Sequence, residues 1–248
     1  MKKIVSALLL TAGMLAAGEI NIAVAANVSY AIEELKAAFA QTNPDTKVQV
    51  TLGSSGKLTA QIKNGAPYGL FMAANMKYPE ALYGDKIAVT EPVVYAQGAL
   101  AYLSAKPTDF SAGISMMADK KIGKIAIANP KTAPYGKAAI EAMKKGGVYD
   151  AAVSKFVYAE SISQTVAYAV TAADIGFIAK SSLYSPKMAQ YKENVNWAPV
   201  DAKLYTPIKQ GIVLLKNGEG NAEYRAFYDF MLSPKAKAIL TQYGYIVE

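Results

Sequence analysis

The stretch KVQVTLGSSGKLTAQI, residues 47–62, contains the pattern on which the fold is built. Its first six residues alternate as a β-strand, a Gly-Ser-Ser-Gly turn follows, and Leu58 and Ile62 then recur at helical spacing. The same order occurs before it, with a strand at 20–25 and a helix at 30–40, and another strand follows it. Repeated strand–helix–strand units predict an α/β fold with a largely parallel sheet and helices on both faces.

Two long extended apolar segments divide the chain. One spans residues 95–104 and the other residues 208–215, and a second series of alternating strands and helices lies between them. Its predicted elements are a strand at 124–128, a helix at 137–144, a strand at 155–158, a helix at 165–171 and a strand at 175–179, and two helices at about 222–231 and 234–243 close the chain. We therefore expect two lobes, one built from residues 19–94 and 208–248 and the other from residues 95–207. Two hinge crossings would join them, with a ligand cleft between, because ligands of such sheets sit at the carboxyl ends of the strands. A single undivided α/β domain is the alternative.

The N-terminus has the pattern of a secretory signal peptide. Lys2 and Lys3 precede an apolar run at 4–17, and the small residues Ala16 and Gly18 follow, which predicts a signal peptide at residues 1–18. The run is shorter than a membrane span requires, although a buried helix or a retained anchor is the alternative. We expect an exported, periplasmic protein without a lipid anchor, because the sequence contains no cysteine to carry one.

Composition excludes several classes of function. With neither histidine nor cysteine in the sequence, a Ser-His-Asp triad, a Cys-His pair and a His-ligated zinc site are all impossible. The formal charge of +7 comes almost entirely from scattered lysines, and Arg225 is the only arginine. This pattern favours anions by long-range steering and does not indicate a nucleic-acid interface, where arginine is the preferred contact.

Four predicted strand-to-helix turns carry small or polar residues just before a helix. Each helix start leaves backbone N–H groups without intrahelical acceptors, and its dipole attracts negative charge. Side-chain donors are available there from Asn27, Ser29, Ser55 and Ser161. Any one of these residues alone is typical of an ordinary N-cap, but four such turns together predict a cage of neutral donors around a desolvated anion. The turns are residues 25–29, 53–56, 129–136 and 159–163.

Other side chains leave alternatives open. Tyr135 lies between a proline and a glycine in the third turn, where its hydroxyl or its backbone N–H would reach an anion, and ordinary packing is the alternative. Glu160 and Asp174 are the carboxylates to consider for an enzyme such as a lyase or dehydratase. That function would need a carboxylate or lysine with a perturbed pKa in the cleft.

An ordered series of segments resembles the periplasmic molybdate-binding proteins of ABC transporters, over essentially the whole chain after residue 18. These segments are residues 24–29, 53–58, 65–67 before Leu70, 129–130, 133–136, 176–178, 226–230 and 243–245. The resemblance implies a two-lobed, type II periplasmic-binding fold that closes on molybdate or tungstate. It further implies a receptor that delivers its anion to an inner-membrane permease. We expect this receptor to be a monomer with no enzymatic activity, no cofactor and no metal ligands of its own.

The resemblance also assigns donors by position. It implies that Asn27 and Ser55 donate through side chain and backbone from the first lobe. Tyr135 and Ile162 would donate from the second lobe, Ile162 through its backbone N–H only. Ala26 and Ser54 are neighbours that match less firmly.

The chain departs from the family pattern at two of these positions. Some members have serine where Asn27 stands, and some have a donating tyrosine where Ala179 stands, so the choice between molybdate and tungstate stays open. Sulfate, phosphate and chromate are the alternative ligands. Phosphate is disfavoured because its proton needs an acceptor, for which Glu160 is the one candidate.

Overall fold

A computed structural model describes residues 18–247. The predicted signal peptide, residues 1–18, lies outside the described residues except for Gly18, which begins the first strand. The strands are β1 (Gly18–Ala25), β2 (Thr46–Gly53), β3 (Leu70–Met72), β4 (Val93–Gly98), β5 (Leu100–Leu103), β6 (Ile125–Ala128), β7 (Phe156–Ala159), β8 (Ile175–Ala179), β9 (Trp197–Pro199) and β10 (Ile208–Leu214). The α-helices are α1 (Ile32–Ala40), α2 (Ser55–Lys63), α3 (Lys77–Gly84), α4 (Pro134–Lys145), α5 (Tyr149–Ala152), α6 (Ile162–Thr171), α7 (Ala222–Met231) and α8 (Pro234–Gln242).

The first sheet combines both ends of the chain. Its strand order is β2-β1-β3-β10-β4, with β1 parallel to β2 and β3, and β10 antiparallel to β3 and β4. Alternate β1 residues, among them Ile20, Ile22 and Val24, pack with α1, α7 and α8 on one face. Phe39 of α1 meets Phe227 of α7 edge to face at 5.0 Å between ring centroids, which fixes how the N-terminal and C-terminal helices pack.

The second sheet is built from the middle of the chain. Its order is β7-β6-β8-β5-β9, with β6 parallel to β7 and β8, and β5 antiparallel to β8 and β9. Helix α4 packs over it through Tyr135, Ala138, Ala142 and Met143. Two mixed sheets, each with its own helices, confirm the predicted two-lobed α/β fold, but the expectation of largely parallel pairing is wrong for β4, β5, β9 and β10.

The first crossing is shorter than the predicted extended segment. Residues 95–104 divide into the end of β4 and all of β5, and only Ala99 separates the two strands. Strand β4 pairs with the first sheet as far as Gly98, a few residues beyond the boundary drawn from the sequence. The second crossing leads into β10, as the apolar segment at 208–215 indicated.

Two helices begin one turn earlier than their apolar periodicity indicated. Helix α4 begins at Pro134 rather than at Lys137, because proline is well suited to the first helical position. Helix α6 begins at Ile162 rather than at Thr165, directly after the capping residue Ser161. Both earlier starts bring the helix ends closer to the carboxyl ends of the strands before them.

Within residues 18–247, none of the helices combines the length and the apolar character needed to cross a membrane.

Candidate functional site

A small cavity of about 10 Å³ lies where four strand-to-helix turns meet. Its wall contains all six residues that the sequence assigned to the site, and each of them is buried. They are Ala26, Asn27, Ser54, Ser55, Tyr135 and Ile162. The cavity is thus lined from both sheets, because the first four residues follow β1 and β2, and the last two follow β6 and β7.

Three of the four helix starts leave their first-turn N–H groups without a side-chain cap. The 3₁₀ helix Ala26–Tyr30, α2 and α4 have no capping hydrogen bond from a side chain. Only α6 is capped, by the Ser161 side chain, which accepts from the Gln164 backbone N–H. The N-cap interpretation is therefore right for Ser161 alone, and the remaining helix starts point uncapped N–H groups and their dipoles toward the cavity region.

Close approach of α4 to its strand depends on a glycine. A Cβ at Gly136 would lie 1.9 Å from the backbone oxygen of Ala128, the last residue of β6. Any side chain there would push the start of α4 away from the sheet. Gly136 therefore holds the Tyr135 backbone N–H at the edge of the cavity.

The two serines of the second turn differ in their hydrogen bonding. The Ser55 side chain is fully buried, and its Oγ accepts from the Ala74 backbone N–H at 2.9 Å. Its own hydroxyl hydrogen is therefore free to donate. The Ser54 Oγ is buried with no hydrogen-bond partner among residues 18–247, which leaves it both a donor and an acceptor to offer.

Asn27 uses its side chain differently from what the family resemblance implied. Its amide nitrogen donates to Gln210 Oε1 at 2.8 Å and to the Tyr245 hydroxyl at 3.0 Å, so both amide hydrogens are engaged. Its backbone oxygen accepts from Tyr245 at 2.8 Å. What Asn27 has left to donate is its backbone N–H, which lies in the first turn of the 3₁₀ helix.

Gln210, on the crossing strand β10, is the central residue that the sequence analysis missed. It is fully buried, its Oε1 accepts from the Tyr95 hydroxyl at 2.8 Å, and its Nε2 donates to the Tyr135 hydroxyl at 3.1 Å. The Tyr135 hydroxyl is therefore bonded to the crossing strand, and its backbone N–H, in the first turn of α4, is the group that could donate to a ligand in the cavity. The available signal was a glutamine placed just before the apolar run at 211–215, since a buried amide requires partners.

The tyrosines of this network stay protonated under ordinary conditions. Burial raises the pKa of Tyr95 and of Tyr135 well above the usual range, and neighbouring tyrosines add to the effect. Burial also raises the pKa of Tyr245 to about 12. With no histidine present, the network around the cavity keeps one charge state across neutral pH.

Three contacts close the cavity on the side away from the crossings, and we call this side the mouth. The Gly56 backbone N–H donates to the Thr132 backbone oxygen at 2.9 Å. The Tyr78 hydroxyl lies 3.5 Å from the Lys131 backbone oxygen, and the Lys57 ammonium pairs with the Glu160 carboxylate. All three join the first sheet's helices to the second, so the structure is in a closed conformation.

The carboxylates considered for catalysis lie outside the cavity wall. Glu160 pairs with Lys57 at the exposed mouth, and Asp174 accepts from the Gly123 and Lys124 backbone N–H groups at 2.9 Å. Among residues 18–247, no group of three or more histidine, cysteine or acidic residues is placed to hold a metal ion. The wall offers hydrogen-bond donors and no acid or base for proton transfer.

This fold and site define a binding protein that encloses a small ligand between two α/β halves. The chain belongs to the bacterial extracellular solute-binding protein family, which it matches over residues 20–246. The prediction of a binding protein rather than an enzyme is confirmed by this membership.

Several molybdate-binding proteins are similar to the chain. It is 39% identical over 236 residues to the molybdate-binding protein ModA of Rhodobacter capsulatus, covering 94% of this chain and 90% of that one. The structure of the periplasmic molybdate-binding protein of Azotobacter vinelandii superposes with a TM-score of 0.83 at 32% identity, covering 92% of this chain and 99% of that one. The predicted resemblance is thereby confirmed.

A more distant structure shares the fold alone. The sulfate-binding protein SubI of Mycobacterium tuberculosis H37Rv superposes with a TM-score of 0.72 at 12% identity, covering 92% of this chain and 86% of that one. At that identity the similarity carries no information about the ligand.

Proposed function

We propose that the protein is the receptor of an ABC transporter, which captures molybdate or tungstate outside the cytoplasm and delivers it to a membrane permease. The observation that carries the proposal is the convergence of four helix starts, with uncapped donors from both sheets, on one closed cavity. Two relatives named as molybdate-binding proteins, 39% and 36% identical to this chain, indicate which anion is the ligand.

The size of the cavity restricts the ligand class. At about 10 Å³, it has space of the order of one water-sized sphere before the halves adjust. Sugars, amino acids and peptides need sites of several hundred Å³. A compact inorganic anion is the ligand that such a wall can enclose from every side.

The chemistry of the wall favours an anion without protons. Backbone N–H groups and serine hydroxyls donate, and no carboxylate lines the cavity. Hydrogen phosphate must also donate a proton, and Glu160, the acceptor considered for it, is paired with Lys57 at the mouth. Molybdate, tungstate, chromate and sulfate meet the requirement, and the relatives favour the first.

Closure follows from the placement of donors on both halves. An anion that accepts from Ser55 on one side and from the Tyr135 and Ile162 backbone on the other binds the closed form better than the open form. Its differential affinity shifts the population toward closure. The permease would then recognise the closed form.

We extend the proposal to location and assembly. Membership of an extracellular family supports export, and the sequence pattern at residues 1–18 supports a cleaved signal peptide with no lipid anchor. We propose a periplasmic monomer that binds no nucleic acid.

Isothermal titration of the exported protein with molybdate, tungstate, sulfate and phosphate tests the function directly. We expect tight, one-to-one binding of molybdate and tungstate and no heat from sulfate or phosphate. Silence with all four anions would remove the oxyanion proposal. Equal affinity for sulfate would contradict a site specific for molybdate and tungstate, since the wall would then lack a size filter.

A further inference from the structure

The two halves of the molecule meet backbone to backbone at the mouth. Gly56, near the start of α2, donates its backbone N–H to the Thr132 backbone oxygen at 2.9 Å. A methyl group added at Gly56 would lie 2.9 Å from Thr132 Cα and 3.0 Å from the Thr132 oxygen. Non-bonded carbon atoms pack at about 3.5–4.0 Å. Only a residue without a side chain therefore lets the halves approach this closely.

The contact joins two well-anchored segments. Asn129 accepts from the backbone N–H groups of Thr132 and Ala133 at 3.2 and 2.8 Å. The Asn129 N–H itself donates at 2.8 Å to Ala159, which ends β7. On the opposite side, Gly56 belongs to the regular helix α2. Neither segment has a flexible side chain to give way at this point, so we call the contact between Gly56 and Thr132 the stop.

The stop lies directly beside the small cavity on both sides. Gly56 follows Ser55, which lines the cavity from the first half. Thr132 precedes Ala133, which lines it from the second half. The wall contains neither Gly56 nor Thr132, so neither is placed to touch a ligand. The separation at which the stop arrests closure therefore fixes the distance between Ser55 and the donors of the second half.

A fixed separation of donors selects anions by size. N–H···O hydrogen bonds have donor–acceptor distances of about 2.7–3.2 Å. An anion whose bonds are too short for the cage cannot accept from both halves at such distances. Chromate and sulfate have shorter bonds to oxygen than molybdate and tungstate, so a cage that cannot close further disfavours the smaller pair.

We propose that the stop sets the size of the anion cage, and that Gly56 is a positioning residue that determines specificity without touching the ligand. This inference rests on the proposed anion function. Gly56 acts through the separation of the two halves. A bulkier residue at this position enlarges the cage, and the loss of affinity is greatest for the anions with the shortest bonds.

Calorimetric titration of Gly56→Ala with molybdate and chromate tests the proposal. The added methyl group moves the halves apart by about 0.6 to 1 Å at the stop, the difference between 2.9 Å and a normal carbon–carbon contact. We expect molybdate to bind at least tenfold more weakly than to the wild type, and chromate to lose at least a further threefold. The sequence contains no cysteine for chromate to oxidise, so the two anions are compared on the same intact protein.

A crystal structure of Gly56→Ala with molybdate measures the separation itself. The distance from the residue 56 backbone nitrogen to the Thr132 oxygen should exceed about 3.5 Å, so that the hydrogen bond is lost. The wild-type complex should keep this hydrogen bond.

Two control variants separate the stop from other effects of a methyl group. Gly146→Ala places its Cβ 2.5 Å from the Ile114 side chain, a clash contained within the second half. It should lower thermal stability and leave the ratio of molybdate to chromate affinity unchanged. The methyl group at Gly56 would also lie 2.7 Å from the Tyr78 hydroxyl. Adding Tyr78→Phe to Gly56→Ala should not restore molybdate affinity, because the Thr132 backbone still blocks closure.

Three results would overturn the proposal while leaving the anion function intact. They are wild-type molybdate affinity in Gly56→Ala, an equal loss for molybdate and chromate in that variant, and recovery of affinity in the double variant, which would assign the stop to the Tyr78 side chain. Failure of the wild type to bind any of these anions would instead contradict the proposed function, and this inference with it.

Discussion

Buried polar side chains around the small cavity serve two different purposes. Ser54 and Ser55 keep hydroxyl hydrogens that no described residue occupies, so they can serve a ligand. The Asn27 amide nitrogen donates to Gln210 and Tyr245, and the Tyr245 hydroxyl donates to the Asn27 backbone oxygen, so these bonds hold the first turn against the crossing strand. Residues of the first kind should control affinity, and those of the second kind should control stability.

Replacing Ser55 with alanine tests the first role. The variant loses one hydrogen bond to a charged ligand, worth about 1.5–3 kcal/mol, so molybdate should bind about 10- to 100-fold more weakly. Calorimetric titration measures the change. Ser182→Ala is the control, because it removes an equally buried hydroxyl that donates to the Ala179 backbone oxygen away from the cavity. Equal losses in both variants would contradict a ligand role for Ser55.

Gln210→Met tests the second role. The methionine has similar volume but removes one buried hydrogen bond from each of Asn27, Tyr95 and Tyr135, so the free energy of unfolding should fall by about 3 kcal/mol. Urea denaturation, read at constant m-value, gives the loss. The exposed Gln41→Met should stay within about 0.5 kcal/mol of wild type. If Gln210→Met lost no more stability than Gln41→Met, the network would contribute nothing to stability.

The sequence predicted residues that line the small cavity and missed the hydrogen-bond network beside it, for a physical reason. Asn27 and Ser55 stand at turns whose local chemistry is visible in a few neighbouring residues. Gln210 lies 183 positions from Asn27, and their contact exists only because a crossing strand returns to the first sheet. The return of β10 to the first sheet decides that both amide hydrogens of Asn27 are engaged. The residues next to Asn27 in sequence could not show this.

Helix starts and strand ends position the backbone donors at the next scale. Helix α4 reaches the cavity because Gly136 lets its first turn contact the end of β6. Only Ser54 separates the end of β2 from the start of helix α2. The N–H groups are thus held by rigid elements, which is the arrangement that fixes donor geometry best.

The Gly136→Ala variant tests how much the close packing of α4 against β6 contributes to stability and to anion binding. Its Cβ would meet the Ala128 backbone oxygen at 1.9 Å, so α4 must shift, and we expect a loss of about 2–3 kcal/mol in stability with weaker anion binding. At Gly84, at the end of α3, an added Cβ would have no atom within 4 Å. Gly84→Ala should therefore leave anion affinity unchanged, and its stability should be unchanged or slightly higher. Thermal unfolding and titration of the two variants report the contrast. If Gly136→Ala bound the anion with wild-type affinity, the start of α4 would not contribute to the binding site.

Elements were predicted more reliably than their pairing. Strand β8 and helix α7 have the bounds expected from their periodicity. The antiparallel placement of β5 and β10 was not expected, because it follows from where the chain turns between sheets and not from any local pattern.

Across the whole molecule, the closed form is held by contacts at opposite ends of the cavity. The crossing side has the Gln210 network, and the mouth has the backbone bond from Gly56 to Thr132 with the ion pair beside it. Opening must break the mouth contacts while the crossing strands bend. Mouth contacts therefore belong to the barrier for ligand release.

Glu160→Gln should speed release without much effect on folding. Its pairing with Lys57 is half-exposed, so the expected contribution is at most about 1 kcal/mol, or about fivefold in the dissociation rate, and smaller at high salt. Asp85→Asn is the matched control, since it removes an equally exposed ion pair with Lys63 within the first half. Stopped-flow displacement of molybdate by excess tungstate measures both rates. An unchanged rate in Glu160→Gln, or an equal rise in Asp85→Asn, would show that the ion pair does not latch the mouth.

The cross-strand partnership of Gly98 with Ile208 has a consequence for the modular construction of the chain. These two residues face each other on antiparallel strands, yet every residue of the second sheet lies between them in sequence. A two-residue turn suffices to join opposed strand ends of this kind. The chain therefore leaves the first sheet and returns to it at adjacent points, and we predict that an Asn-Gly pair in place of residues 99–207 would join β4 and β10 as a hairpin at the edge of the first sheet.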